Sequence, residues 1–281
     1  MQFQLIDSLS LPGDAARPNE DAFAHSAHFA AVFDGVTGLG ENLLPGPSDA
    51  QWIARFGAKR LAAHAGEGAG APRDWLRRAA EDAERSFAGL RRRAPSSNYE
   101  IPFASMMCVA LRGEAIEALW FGDCAFVLRQ ADGAVSLVGD TFAMRMRERD
   151  RVRGIAVGGE PAAAGVRAKF LPALRTARNT VNTEGGNWLF APNAAAADHV
   201  SSERVEVAPG AVLLVASDGF LALATDYDRY DAATLLAAAE DKGLKSLGDT
   251  LRDIESRDPV GASFPRFKKS DDATALLLRV G

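Results

Sequence analysis

Short unbroken apolar runs come in blocks along the chain, set apart from longer segments whose apolar residues recur at helical spacing. The run His28-Phe29-Ala30-Ala31-Val32-Phe33 leads into Asp34-Gly35, and Ala211-Val212-Leu213-Leu214-Val215-Ala216 leads into Ser217-Asp218-Gly219. Both are continuous and bounded by turn residues, the pattern of buried strands. Residues 106–111, 115–121, 126–129 and 134–138 follow with only turns between them, which predicts an antiparallel sheet. Asp132-Gly133, between the last two, reads as a hairpin turn. A helix is predicted from an N-cap at Ser48-Asp49 through about His64, with Ile53, Phe56 and Leu61 on one face. After a Gly/Ala loop and Pro72, a second helix carries Leu76, Ala80, Ala83, Phe87 and Leu90, and both stripes read as core. Helical patterns return at 232–239 and 246–254, and 275–280 closes the chain as a strand. Blocks of strands and blocks of helices argue an α+β layered fold rather than a parallel doubly wound sheet.

Acidic residues sit where these runs end. Asn19-Glu20-Asp21, Phe33-Asp34-Gly35, Ala216-Ser217-Asp218-Gly219 and Ser270-Asp271-Asp272-Ala273-Thr274 each join an apolar run to a carboxylate. A lone Asp-Gly is mostly turn chemistry, as Asp132-Gly133 illustrates. Four such patterns with strand flanks could instead converge on a pair of metal ions. Mg²⁺ and Mn²⁺ take oxygen ligands and keep several waters, so a few carboxylates and one carbonyl, left accessible beside Gly35, suffice. The chain has no Cys-x5-Arg loop, Gly-x-Ser-x-Gly elbow, His-Glu-x-x-His or Walker lysine loop. That negative search favours metal-activated water over a protein nucleophile.

Over nearly its whole length the chain resembles bacterial members of the metal-dependent protein phosphatase family, PPM or PP2C. The residues carrying the resemblance are Arg17-Pro18-Asn19-Glu20-Asp21, Asp34-Gly35, Gly122-Asp123-Cys124, Ser217-Asp218-Gly219 and Asp271-Asp272. The resemblance implies a four-layer α-β-β-α sandwich, two central antiparallel sheets flanked by helices. It implies that Asp34 bridges two Mn²⁺ or Mg²⁺ ions, that Asp218 and Asp271 complete the first, and that Glu20 and the Gly35 carbonyl serve the second. Asp21 would hold metal-bound water, Asp123 would help hold a third, weaker ion, and Arg17 would bind phosphate. Two metals about 3.5–4 Å apart generate hydroxide near neutral pH and stabilise in-line displacement at phosphorus. Three positions depart from the family pattern: Arg17 stands one residue closer to Asp21 than usual, Val36 occupies a position where some members carry His, and Cys124-Ala125 replaces Ser-Arg. The activity implied is hydrolysis of phosphoserine and phosphothreonine in proteins. The alternatives are a catalytically weak regulator that binds a partner protein and a phosphatase of a small phosphorylated metabolite, the latter favoured by a closed pocket and disfavoured by an open cleft.

Composition narrows the setting. With 281 residues, 47% of them hydrophobic, the chain can bury a large core. Because the acidic patterns run from Glu20 to Asp272, one domain spanning 1–281 is expected. A net charge of −5 and the absence of a basic tail argue against nucleic acid as a partner. With no basic n-region and no apolar run near 20 residues, the expectation is a cytoplasmic protein with no membrane segment, a monomer being favoured. Cys108 and Cys124 lack metal-ligand spacing and read as buried free thiols. Arg145, Arg147, Arg149, Arg151 and Arg153 alternate with other residues; a solvated face paired with Glu148 and Asp150 is the favoured reading, a basic substrate surface the other. Residues 154–186 are expected to form the variable flap near the family's active site. Arg266, Lys268 and Lys269 either neutralise ligands or orient phosphate near the metals, or are solvated loop charges. The four histidines read as structural or surface, and Trp188 and Phe190 as the core of a strand.

Overall fold

In the computed structural model, which describes residues 1–68, 70–142, 144–145, 166–264, 266 and 268–281, the apolar runs form two antiparallel five-stranded sheets. One is ordered β1 (Phe3–Leu11), β10 (Ala273–Val280), β9 (Val212–Ala216), β6 (Ala125–Arg129) and β7 (Val135–Val138). The other is ordered β2 (Asp21–Ser26), β3 (Phe29–Gly35), β4 (Ala104–Arg112), β5 (Ala115–Phe121) and β8 (Ser201–Glu206). The helices are α1 (Asp49–Gly66), α2 (Pro72–Leu90), α3 (Val166–Asn179), α4 (Asp218–Thr225) and α5 (Ala232–Arg257).

The central strands have no polar face because both of their faces are covered. Val32, Met107 and Val109 of one sheet meet Phe126, Leu213, Val215, Leu276 and Leu278 of the other. On the outer side, Phe29, Phe33, Met106 and Cys108 pack against Ile53, Leu61 and Leu76 of α1 and α2. Val127, Leu214 and Leu277 pack against Phe220, Leu235, Leu247 and Leu251 of α4 and α5. Burial of each such side chain contributes about 1.5–3 kcal/mol, and continuous burial on both faces explains the unbroken runs. The layers are therefore α-β-β-α, as the resemblance implies.

The helix ends follow local chemistry. Ser48 caps α1 by accepting from the Gln51 amide at 3.2 Å. The patterns at 232–239 and 246–254 belong to one element, α5, broken at Gly243 with φ 79° and ψ 156°. There the Leu244 amide, which lacks an intrahelical partner at the break, donates to Asp7 Oδ2 at 2.8 Å. This contact docks α5 on β1. Phe190 makes an isolated bridge to Ala104 rather than belonging to a strand, and packs edge-on against Phe33 at 5.2 Å. Trp188 stacks on His199 instead of entering a sheet.

Part of the expected flap is helical. Residues 166–179 form α3, which rests on the loop after β3: Arg175 donates from Nε and Nη2 to the Leu39 carbonyl at 3.0 and 2.7 Å. The Arg175 guanidinium also lies over the Tyr99 ring, 4.8 Å from its centroid. Residues 180–186 follow as turns, while residues 154–165 of that segment and Arg147, Arg149, Arg151 and Arg153 lie outside the described residues.

Candidate metal centre

Strand register brings the acidic patterns to one end of the sandwich. β2 begins at Asp21 and β3 ends at Gly35, with Asp21 opposite Asp34 and Asp34 opposite Ser105 of β4. In the other sheet Ala216 pairs with Ala275, so Ser217-Asp218 and Asp271-Asp272 leave β9 and β10 side by side. The Ser217 amide donates to the Thr274 carbonyl at 2.9 Å, closing that corner. Among the described residues, one ligand oxygen each from Asp34, Asp123 and Asp218 lie within 4.8 Å of one another.

Polar neighbours aim each acid. Ser105 Oγ donates to Asp123 Oδ1 at 2.7 Å, and Thr141 Oγ1 donates to the Asp123 carbonyl at 2.5 Å. Ser217 Oγ donates to Asp21 Oδ2 at 2.8 Å, whereas Asp21 Oδ1 is buried without a hydrogen-bond partner. Asp218 Oδ1 is likewise buried without one. Thr37 Oγ1 donates to Glu20 Oε2 at 2.6 Å, and Ser48 Oγ, already the cap of α1, donates to Glu20 Oε1. Asp271 Oδ1 accepts from Lys268 Nζ at 2.7 Å, and the Asp271 carbonyl accepts from Arg252 at 2.8 Å. The Gly35 amide donates to the Glu20 carbonyl at 3.0 Å, and a Cβ at Gly35 would lie 2.4 Å from the Ala50 carbonyl oxygen.

The charges are strongly coupled. Burial, followed by the negative charges of Asp21, Asp218, Asp271 and Asp123, pushes the Asp34 pKa well above the ordinary carboxylate range. Burial also raises Asp21, against the Ser217 hydrogen bond and with Asp272 and Asp271 adding to the shift. For Asp271 burial acts in the same direction, but Lys268 and Arg145 outweigh it and hold the pKa below its ordinary value. Crowded carboxylates with two partnerless buried oxygens and an all-oxygen donor set fit a hard divalent cation such as Mg²⁺ or Mn²⁺.

The site residues named from sequence thus fall into three groups. Asp34, Asp123 and Asp218 are mutually close. Asp21, Glu20, Gly35 and Asp271 border them, with Glu20 and Asp271 engaged by hydroxyls and an ammonium. Arg17 is exposed on a turn in which its amide donates to the Asp14 carbonyl at 3.0 Å. Arg266 turns away from the acids, donating to Asp258 Oδ2 and to the Phe264 and Lys269 carbonyls at 2.9 Å each.

Two residues have roles the sequence did not signal. Arg145, read as part of a solvated charged face, is only 14% exposed and lies between Asp218 Oδ2 at 3.2 Å and Asp226 Oδ2 at 3.3 Å. An alternating charge run carries no sign that one of its members turns inward. Asp272 points away from its acidic neighbour: its two oxygens accept from the Gly13 and Glu20 amides, both at 2.7 Å. It therefore clamps the β1–β2 loop onto the site. Asp272→Ala is expected to destabilise the protein by about 2 kcal/mol, since two amides lose a charged acceptor, and to weaken Mn²⁺ binding by releasing Glu20. Chemical denaturation and a Mn²⁺ titration check both; unchanged metal affinity would show that the clamp does not position Glu20.

No protein-family model and no curated protein sequence matches the chain. Solved structures do. The serine/threonine phosphatase PstP/Ppp of Mycobacterium tuberculosis superposes with a TM-score of 0.61 at 14% identity, covering 100% of this chain and 99% of that one. The PstP catalytic domain in complex with two manganese ions gives a TM-score of 0.58 at 15% identity, with coverage of 100% and 99%. The PPM Ser-Thr phosphatase MsPP of Mycobacterium smegmatis, in complex with cacodylate, gives 0.55 at 18% identity and 99% coverage of each chain. Likeness at this level of identity establishes a shared fold over the whole chain.

Proposed function

We propose that this chain, whose fold is that of the PPM serine/threonine phosphatases, is a divalent-metal-dependent phosphomonoesterase acting on phosphoserine and phosphothreonine in proteins. The observation that carries the reading is the convergence of Asp34, Asp123 and Asp218 within 4.8 Å at the shared end of both sheets. Residues 1–281 are taken as one catalytic unit, because the proposed ligands extend from Glu20 to Asp271.

In this reading Asp34, Asp218 and Asp271 would hold one divalent ion, Asp34 with Glu20 and the Gly35 carbonyl a second, and Asp123 would help hold a third, weaker one. Bound Mn²⁺ or Mg²⁺ would supply Lewis acidity toward phosphoryl oxygens and a hydroxide nucleophile near neutral pH. The chain's own groups orient and accept. Asp21, fixed by Ser217, offers its unpartnered Oδ1 to hold the attacking water and take its proton. Ser105 keeps Asp123 turned toward the cluster, and Arg145 pairs with Asp218 Oδ2. A thiol nucleophile is disfavoured: Cys108 and Cys124 are fully buried, and burial pushes both thiols up, Cys124 further under the charges of Asp34 and Asp123.

Protein substrates come from the likeness to phosphatases that act on serine and threonine. No helix among the described residues is long and apolar enough to cross a membrane, and action in the cytoplasm as a monomer completes the proposal. The regulator alternative draws on the exposed position of Arg17. The small-metabolite alternative turns on a closed pocket under residues 154–186, of which 154–165 lie outside the described residues.

Chelator-stripped protein is expected to hydrolyse p-nitrophenyl phosphate and a phosphothreonine peptide only after Mn²⁺ or Mg²⁺ is restored, with a gain of at least about 100-fold. Hydrolysis of neither substrate at any metal concentration would sink the enzyme reading and leave the partner-binding one. Turnover of the small ester alone would shift the substrate away from proteins.

A further inference from the structure

We infer that Lys268, rather than Arg17, is the side chain that anchors the substrate phosphate. This inference rests on the phosphatase reading and assigns its phosphate-binding residue.

The cations around the acid cluster differ in what they have left to offer. Arg145 is nearly buried and spans two carboxylates, Asp218 and Asp226, so it cannot reach a ligand without uncovering both. Arg252 is spent on Glu255 at 2.7 Å and on the Leu11, Pro12 and Asp271 carbonyls at 3.3, 3.1 and 2.8 Å. Arg266 is consumed by the Asp258 loop and by the Tyr227 ring, 5.9 Å from its centroid. Arg17 sits on an exposed turn whose flanks are pinned at Gly13 and Glu20 by Asp272, and its guanidinium makes no contact with the acids among the described residues.

Lys268 combines reach with access. Its side chain is 43% exposed, yet Nζ lies 2.7 Å from Asp271 Oδ1 and 3.5 Å from Thr37 Oγ1. Thr37 in turn holds Glu20, so the ammonium lies over the seam between the two flanking acids. An ammonium has three donors, and one strong partner with one long contact leaves capacity for a phosphate oxygen. A point charge on a flexible stem binds phosphate without the fixed fork of an arginine, which suits a chain whose arginine is displaced.

Two titrations separate this role from that of a strut for Asp271. Removing a positive charge beside the metal ligands favours cations and disfavours anions, so Lys268→Met is expected to bind Mn²⁺ several-fold tighter. The same variant, loaded with Mn²⁺, is expected to bind inorganic phosphate at least about tenfold more weakly, the loss of one charge-assisted hydrogen bond. KM for a phosphothreonine peptide rises with the phosphate Kd while kcat changes less, Lys268→Arg recovers most of the phosphate affinity, and Arg17→Ala leaves it unchanged. Weakening of both ions in Lys268→Met would make Lys268 a strut and overturn the proposal. So would unchanged phosphate affinity, no phosphate binding by the wild type, or a tenfold loss in Arg17→Ala. A wild type that binds Mn²⁺ but turns over no phosphoester sinks the phosphatase reading itself; normal turnover with unaltered phosphate binding in Lys268→Met sinks only the assignment of Lys268.

Discussion

Asp34→Asn is expected to lower metal-dependent kcat/KM by about 10³-fold or more, equivalent to roughly 4 kcal/mol of transition-state stabilisation, while raising the melting temperature of the chelator-stripped protein. The opposite signs share one cause. Without a cation, Asp34 is a half-buried carboxylate facing Asp21, Asp218, Asp271 and Asp123, and its pKa is well above its ordinary value of 3.8. A carboxyl raised by folding favours the native state below its unfolded pKa and loses that contribution as pH rises through the folded value. The metal-free wild type should therefore be less stable at pH 8 than at pH 5, and Asn at 34 should flatten that slope and relieve Asp21 as well. Mn²⁺ removes the same penalty by binding only the folded state, contributing about 2.7 kcal/mol at a hundredfold excess over its Kd. Kinetics with and without Mn²⁺, beside thermal melts in chelator at the two pH values, check both halves. Turnover within tenfold of wild type, or a metal-free variant that melts below wild type, would contradict this view of the site.

Gly219→Ala should be among the most damaging single methyl additions. A Cβ there would lie 2.0 Å from the Asp272 carbonyl oxygen, 3.1 Å from its carbonyl carbon and 3.2 Å from the Asp271 Cβ. Neither side yields easily, since Gly219 is in the first turn of α4 and Asp272 leads directly into β10. The contact can relax only by parting the two segments, which separates Asp218 from Asp271 and loosens the hold of Asp272 on Gly13 and Glu20. The expected loss is about 3 kcal/mol, accompanied by weaker Mn²⁺ binding. Gly89→Ala in α2, where nothing lies within 4 Å, is the control and should stabilise slightly through helix propensity. Denaturant unfolding of both variants, with a Mn²⁺ titration of Gly219→Ala, gives the answer; similar stabilities would mean that the chain accommodates a side chain at 219 after all.

What depends on neighbours along the chain was legible before any fold was known. Strands buried on both faces read as continuous apolar runs, Ser48 read as a helix cap, and each acidic pattern could be placed at a strand end because an apolar run stops there. Those local signals were enough for the layered α+β class. Which charges meet depends on how distant segments pack together. The registers of β2 with β3 and of β9 with β10 bring Asp21, Asp34, Asp218 and Asp271 to the same end of the sandwich. The direction of each loop side chain then separates acids that look alike in sequence, so that Asp272 clamps two amides while Asp271 faces Lys268. Arg145 turns inward to Asp218 although it stands in a charge run, and Arg17 stays outside although it stands in a motif. The physical reason is that apolar periodicity is set by which face of an element is covered, a property repeated along many residues, whereas the role of a charge depends on the few groups within a few ångströms of it, contributed here by segments more than 200 residues apart.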